Sequence, residues 1–162
     1  MADRRSDNDY FIIWNLIRLV SHAITRLRNE ELAQYGITNQ QSAMLWMIDR
    51  LGSRATPTEI ARRLLREPAS ISNILCRMEK QGLISRVNDI RRYNQVRFKL
   101  TEDGRKKYHS AMKRETMRRV VSRLSKRQRR ELRVALSAMR DIVLEELGVP
   151  ENQRALIDPL NV

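Results

Sequence analysis

Apolar residues recur at helical spacing from the start of the chain. Ile13, Ile17, Val20, Ile24 and Leu27 form one stripe, which predicts a long helix over 8–35. Tyr10, Trp14 and Leu16 widen the stripe beyond one face, so this helix needs packing on two sides; Gly36 stops it. Thr38-Asn39-Gln40-Gln41 reads as a capping box, with Thr38 as N-cap and Gln41 three positions on. It opens a second amphipathic helix through Ala43, Met44, Met47, Ile48 and Leu51, closed by Gly52. Thr56-Pro57-Thr58-Glu59 predicts another capping box, with Pro57 in the favoured first helical position. Ile60, Ala61, Leu64 and Leu65 face the core. Pro68 opens the next helix, which sets Ile71, Ile74, Leu75 and Met78 on one side. Ala69, Asn73, Cys76 and Lys80 fall opposite, Ser72 and Arg77 lie on the flanks, and Gly82 ends it.

The period then changes. Val96, Phe98 and Leu100 alternate with Gln95, Arg97 and Lys99, the pattern of a half-buried strand. Ile84 to Val87 is the expected partner, and the tip runs from Asn88 to Asn94. Thr101 caps a helix expected to run to about Arg123. Ser125-Lys126-Arg127-Gln128 is a further capping box and starts a helix with Leu132, Leu136, Met139, Val143 and Leu147 on one face. Gly148 and Pro150 end it. The tail holds Leu156, Ile157 and Leu160, apolar groups that need covering. No internal repeat or low-complexity segment interrupts this series.

The stretch from Thr56 to Thr101 is therefore a short helix, a tight connection, a second helix and two strands around a basic tip. That order predicts a winged helix-turn-helix, which sets one helix into the DNA major groove with a β-hairpin beside it. The expected fold class is mainly α with a small β-hairpin wing, flanked by long N- and C-terminal helices.

Charge sharpens this picture. The 162 residues are 41% hydrophobic and carry a net +13. Residues 1–37 are net 0, residues 38–101 net +7, residues 105–133 net +11 and residues 134–162 net −3. A positive field confined to the middle of the chain and the stretch after it attracts polyanions. The single cysteine, Cys76, excludes an intrachain disulfide and suggests a reducing compartment. The apolar run from Phe11 to Val20 is broken by Asn15 and Arg18, lacks a cleavage signal and is too short to span a membrane. A cytoplasmic protein without a membrane partner is expected. With two histidines, no phosphate-cradling glycine loop and no metal-spaced Cys/His set, neither enzyme activity nor a metal or other cofactor is expected.

The candidate DNA contacts follow from chemistry. Asn73 suits a bidentate pair with adenine and Arg77 one with guanine. Ser70 and Ser72 suit phosphates or base edges, as do Thr38 and Thr58 near the starts of their helices. Arg91 and Arg92 at the wing tip suit a narrow minor groove.

Glu59-Ile60-Ala61, Ser72-Asn73-Ile74-Leu75, Arg77-Met78-Glu79-Lys80-Gln81-Gly82-Leu83-Ile84, Asp89-Ile90-Arg91 and Leu100-Thr101-Glu102-Asp103-Gly104 together resemble the MarR family of bacterial transcriptional regulators. The resemblance covers nearly the whole chain. It implies a homodimer whose first and last helices form a dimer lobe while two winged units read a palindrome. It divides the chain into an N-terminal dimerisation helix (1–37), a winged helix-turn-helix (38–101), and connecting and C-terminal dimerisation helices (102–162). The span from Asp89 to Thr101 is longer than the family's usual wing, which leaves two assignments open: Asp89 orients Arg91, or Arg92 is the inserted residue. Many relatives are released from DNA by small aromatic or anionic ligands held between the lobes. By that resemblance Trp14, Arg18 and His22, which share one helix face, line a ligand cleft with Met44 and Met47; plain core and dimer packing is the competing reading. Family members that sense peroxide carry their cysteine in the first helix, so Cys76 is not expected to act as a sensor. The expected function is a sequence-specific repressor. The alternatives are a constitutive or architectural DNA-binding protein without a ligand, and a winged-helix protein-interaction module.

Overall fold

The computed structural model describes residues 3–89 and 95–157. The order is α1 (Asp3–Ala33), α2 (Asn39–Leu51), a 3-10 turn (Gly52–Arg54), α3 (Pro57–Arg63), α4 (Pro68–Lys80), β1 (Ile84–Asp89), β2 (Gln95–Leu100), α5 (Glu102–Ala111), α6 (Glu115–Ser122), α7 (Lys126–Glu146) and α8 (Glu151–Ile157). This is the expected mainly helical chain with a two-stranded antiparallel hairpin.

Local signals set most boundaries. Thr38 and Gln41 form a complete capping box at α2, as Ser125 and Gln128 do at α7. At α3 only half of the expected box forms. The Thr56 hydroxyl accepts from the Glu59 amide at 3.2 Å, but the Glu59 carboxylate turns to Arg63 (2.8 Å) and Arg62. Two guanidiniums offer that carboxylate more than one backbone amide does. Burial works to raise the Glu59 pKa, but the hydrogen bonds from Arg63 and Arg62 outweigh it and hold the carboxyl below its ordinary range.

One core serves the middle of the chain. Leu45, Ile48, Ile60, Ile71, Leu75, Met78, Leu83 and Ile84 are fully enclosed in it, together with Leu32 of α1 and Ala111 of α5. The hairpin pairs Ile84 with Leu100 and Arg86 with Phe98. Ile84, Phe98 and Leu100 face inward. The Arg86 guanidinium lies 5.6 Å from the centre of the Phe98 ring and 3.1 Å from Glu79 at the end of α4, so one side chain ties the hairpin to the helix before it. Gly104 fits against the carbonyl of Leu83, where the Thr101 hydroxyl accepts from the Gly104 amide at 3.0 Å and donates to the Gly82 carbonyl at 2.6 Å.

The single helix expected from Thr101 to about Arg123 is two. α5 ends at Ala111, Arg114 takes a left-handed conformation with φ +49°, and α6 starts at Glu115. The cause lies in α1, where Arg28 and Glu31 hold the two loose ends, as described below.

Two surfaces are left uncovered. On α1, Tyr10, Phe11, Ile13, Trp14, Leu16 and Val20 are exposed; on α7, Leu132, Leu136, Ile142 and Val143 are exposed, as is Leu147 just after it. Leu160 of the apolar tail lies outside the described residues.

Candidate nucleic-acid interface

α4 is the centre of the site. Ile71, Ile74, Leu75 and Met78 are buried on one side, and this anchors the helix. Its other side is solvent-facing: Ser70, Ser72, Asn73 and Arg77 are all exposed, and so is Cys76. Arg77 Nε is 3.4 Å from the Asn73 carbonyl, a weak hold that leaves the guanidinium's other donors open. The four side chains therefore stand on one exposed surface of a helix whose position is fixed by its buried half.

The turn before α4 is sharp because Leu65 adopts φ +49°, a conformation costly for a bulky residue. Arg66 follows it and was not among the sequence-based candidates. It is exposed and has no side-chain partner among the described residues. Lys80 at the far end of α4 is in the same state. Two free cations thus bracket the polar face. The available signal was position alone: Arg66 sits directly before the residues that open the helix.

Thr58 is exposed on the first turn of α3. Thr38 is exposed too, but its hydroxyl already accepts from the Gln41 amide at 3.2 Å. It lines a cleft with Gln81 and Arg66, beside the C-terminal end of α4. Arg91 and Arg92 lie outside the described residues. The two described wing arginines have structural partners: Arg86 as above, and Arg97, which donates to the Ser53 carbonyl at 2.9 Å.

The ligand candidates separate into two groups. Trp14, Arg18 and His22 do line one recess on α1, about 430 Å³ in volume. Met44 and Met47 do not reach it. They are 2% and 3% exposed, inside the core beneath α2. Helical spacing placed them on an apolar face, and the core claims that face.

The MarR family model matches residues 35–91, from the α1–α2 connection into the wing. The chain is also 30% identical to the organohalide sensing RdhR transcriptional regulator, solved in a 2,4-dichlorophenol bound form, with a TM-score of 0.76 over 83% of this chain and 81% of that one. The chain belongs to the MarR family of transcriptional regulators.

Two further solved MarR-family relatives carry DNA. MepR of S. aureus, in a DNA complex, is 27% identical with a TM-score of 0.69, covering 79% of this chain and 94% of its own. A mutant MarR of E. coli complexed with operator DNA is 23% identical, with a TM-score of 0.72 over 82% and 96%, and shares the fold. A search of curated protein sequences gives no match. Among the described residues no group of three or more His, Cys, Asp or Glu side chains could hold a metal ion. Among the described residues no helix is long and apolar enough to cross a membrane.

Proposed function

We propose that this MarR-family chain binds double-stranded DNA as a homodimer, reading sequence with α4 and bracketing it with the wing. The observation that carries this is the α4 surface: Ser70, Ser72, Asn73 and Arg77 exposed on a helix whose other side is locked into the core. Asn73 and Arg77 supply base readout. Ser70, Ser72, Thr58 and Thr38 supply hydroxyls for phosphates, and Arg91 and Arg92 enter the flanking minor groove. The DNA complex of MepR supports this reading. The exposed apolar sides of α1 and α7 support the dimer, with residues 1–37 and 102–162 forming its lobe and 38–101 the reading unit. A dimer on a symmetric operator excludes other proteins from that site, which is repression where the site overlaps a promoter.

Selection of bound sequences from random duplexes tests this. The expected product is an inverted repeat whose half-sites lie about one helical turn, roughly 10 base pairs, apart. Enrichment of sequences without symmetry, or no enrichment, overturns it.

A second reading adds release by a small ligand. The recess of Trp14, Arg18 and His22 offers an aromatic ring beside a cation, and the 2,4-dichlorophenol held by RdhR supports an aromatic ligand class. Such a ligand acts only if it binds the DNA-incompetent form better. Titration of the operator complex with aromatic acids, wild type beside Arg18→Ala, tests it: release in the wild type and none in the variant is expected, and identical responses refute it.

A further inference from the structure

Between Thr56 and Asn88 the chain carries three carboxylates, Glu59, Glu67 and Glu79. Glu59 is held by Arg63 and Arg62, and Glu79 by Arg86 at 3.1 Å. Glu67 is exposed and has no side-chain partner among the described residues. Arg66, its neighbour in sequence, has none either, so two opposite charges side by side stay apart. Glu67 stands at the N-cap of α4 with φ −63° and ψ 131°, the extended backbone that a following proline imposes. Its carboxylate makes no hydrogen bond to the amides of the first turn. No cap and no ion pair accounts for this acid.

Its surroundings make the placement unfavourable for unselective DNA binding. Glu67 adjoins the exposed polar face of Ser70, Ser72, Asn73 and Arg77, bracketed by Arg66 and Lys80. A carboxylate there meets phosphates of like charge. It also loses water on entering a groove, and that loss goes uncompensated wherever the DNA offers it no donor. Such a group lowers affinity for most duplexes and spares those that donate to it.

We propose that Glu67 is a specificity residue, whose carboxylate accepts from the N4 amino group of a cytosine in the major groove and rejects guanine and thymine at that position. The proposal rests on the reading of DNA by α4. A recognition helix meets base edges with its N-terminal residues, and Glu67 opens that end. In the major groove cytosine presents the N4 donor, adenine a donor beside the N7 acceptor, thymine an acceptor and a methyl group, and guanine two acceptors. An ionised carboxylate only accepts, so cytosine suits it best and guanine worst. Glu67 precedes Asn73 by six residues, about 9 Å of helix, which is roughly three base pairs of duplex. The cytosine therefore lies on the far side of the base proposed for Asn73 from the one proposed for Arg77.

The test uses the full chain, wild type beside Glu67→Ala, on the duplex selected from random sequence. Each cytosine of the half-site is replaced in turn by N4-methylcytosine, which still pairs with guanine but sets a methyl group where the groove-facing N4–H stood. At one cytosine in each half-site the wild type loses affinity about tenfold or more, the worth of a hydrogen bond to a charged group. Glu67→Ala binds the methylated and unmethylated duplexes equally and accepts any base pair at that position. On a duplex of unrelated sequence Glu67→Ala binds as tightly as the wild type or more tightly, because a charge like that of phosphate has gone. A structural role alone would instead weaken binding to both duplexes and leave the response to methylation unchanged. A selected site in which no cytosine responds, an equal response in the variant, or weaker binding of the variant to the unrelated duplex overturns the assignment of Glu67 while leaving α4 as the reader. If the wild type selects no sequence at all, the reading by α4 falls, and this assignment falls with it.

Discussion

Arg28 and Glu31, one turn apart on α1, form a buried ion pair with 2.9 Å between Nη1 and Oε1, and between them they hold both ends of a helix break more than 80 residues away. Arg28 donates to the carbonyl of Ala111, the last residue of α5. Glu31 accepts from the amides of Glu115 at 3.0 Å and Thr116 at 3.2 Å, the first residues of α6. A cation meets the carbonyl end of one helix and an anion the amide end of the next, as the helix dipoles favour. The pair thus joins α1 to the α5–α6 corner.

Glu31→Ala should therefore cost about 3–5 kcal/mol, since it strands the Arg28 charge in the interior as well as uncapping α6. The acid dependence carries a separate signature. Burial raises the Glu31 pKa, but hydrogen bonds from Arg28 and Thr116 outweigh it and hold the carboxyl below its ordinary 4.5. A depressed folded pKa gives stability that is present above about pH 4.5 and is lost as pH falls through the lower folded value. Urea unfolding of wild type and Glu31→Gln across pH 6 to 3 checks this. The wild type should lose its advantage over the variant below about pH 4.5; a difference that stays constant with pH removes Glu31 as the source.

Gly104→Ala tests how the wing is seated. Its added Cβ would lie 1.9 Å from the Leu83 carbonyl oxygen, so the strand base or α5 must move. Overpacking of this kind costs about 1–3 kcal/mol or more. Gly82 offers the contrast. It has open space around it but φ +71°, so Gly82→Ala costs about 1–2 kcal/mol through backbone strain alone. Thermal unfolding should show both losses. Only Gly104→Ala should also impair DNA binding of the folded fraction, because only there does the hairpin shift. Equal binding by both folded variants would show that the Gly104 contact does not position the wing.

These cases show what the sequence could carry. Capping at Thr38, Thr101 and Ser125 is written in residues three positions apart, and the change of period at Val96 marks the strand; both signals are local. The break at Arg114 is not local. Arginine is no natural left-handed residue, and the groups that stabilise the break come from α1. The reciprocal cap expected from Glu59 failed for a related reason, since Arg63 one turn on competes for the same carboxylate. For the site, the polar face of α4 was legible because helical period alone separates Asn73 and Arg77 from Ile74 and Met78. The pairing of Met44 and Met47 with Trp14 was not, because period cannot say which of two apolar surfaces a helix face meets.

Base readout and backbone attachment should separate in the α4 variants. Asn73→Ala or Arg77→Ala should cost about 1–3 kcal/mol on the selected site and little on unrelated DNA, since each would remove the bidentate base contact proposed for it. Arg66→Ala, Arg91→Ala and Arg92→Ala should weaken binding evenly across sequences and flatten the salt dependence by about one contact each. Affinity measured on selected and scrambled duplexes at several salt concentrations distinguishes the two classes. If Asn73→Ala and Arg77→Ala lose both duplexes equally, α4 is an anchor rather than a reader.

The dimer is the last expectation, and the core makes it testable without unfolding the chain. Among the described residues the enclosed cluster draws on α2 to α5 and the hairpin, takes Leu32 alone from α1 and takes nothing from α7. Ile13 and Val143, by contrast, are exposed in the single chain. Ile13→Asp with Val143→Asp should leave the reading unit folded and place two charges where two copies would meet. Burying either unpaired charge there costs several kcal/mol, enough to dissociate a dimer at micromolar concentration. Analytical ultracentrifugation should find the wild type as a dimer and the variant as a monomer, with the helical circular dichroism of the middle of the chain retained. The variant should also lose affinity for a full inverted repeat while keeping its weak hold on a half-site. A wild type that sediments as a monomer, or a variant that remains a dimer, would mean that the exposed sides of α1 and α7 are not the contact between copies.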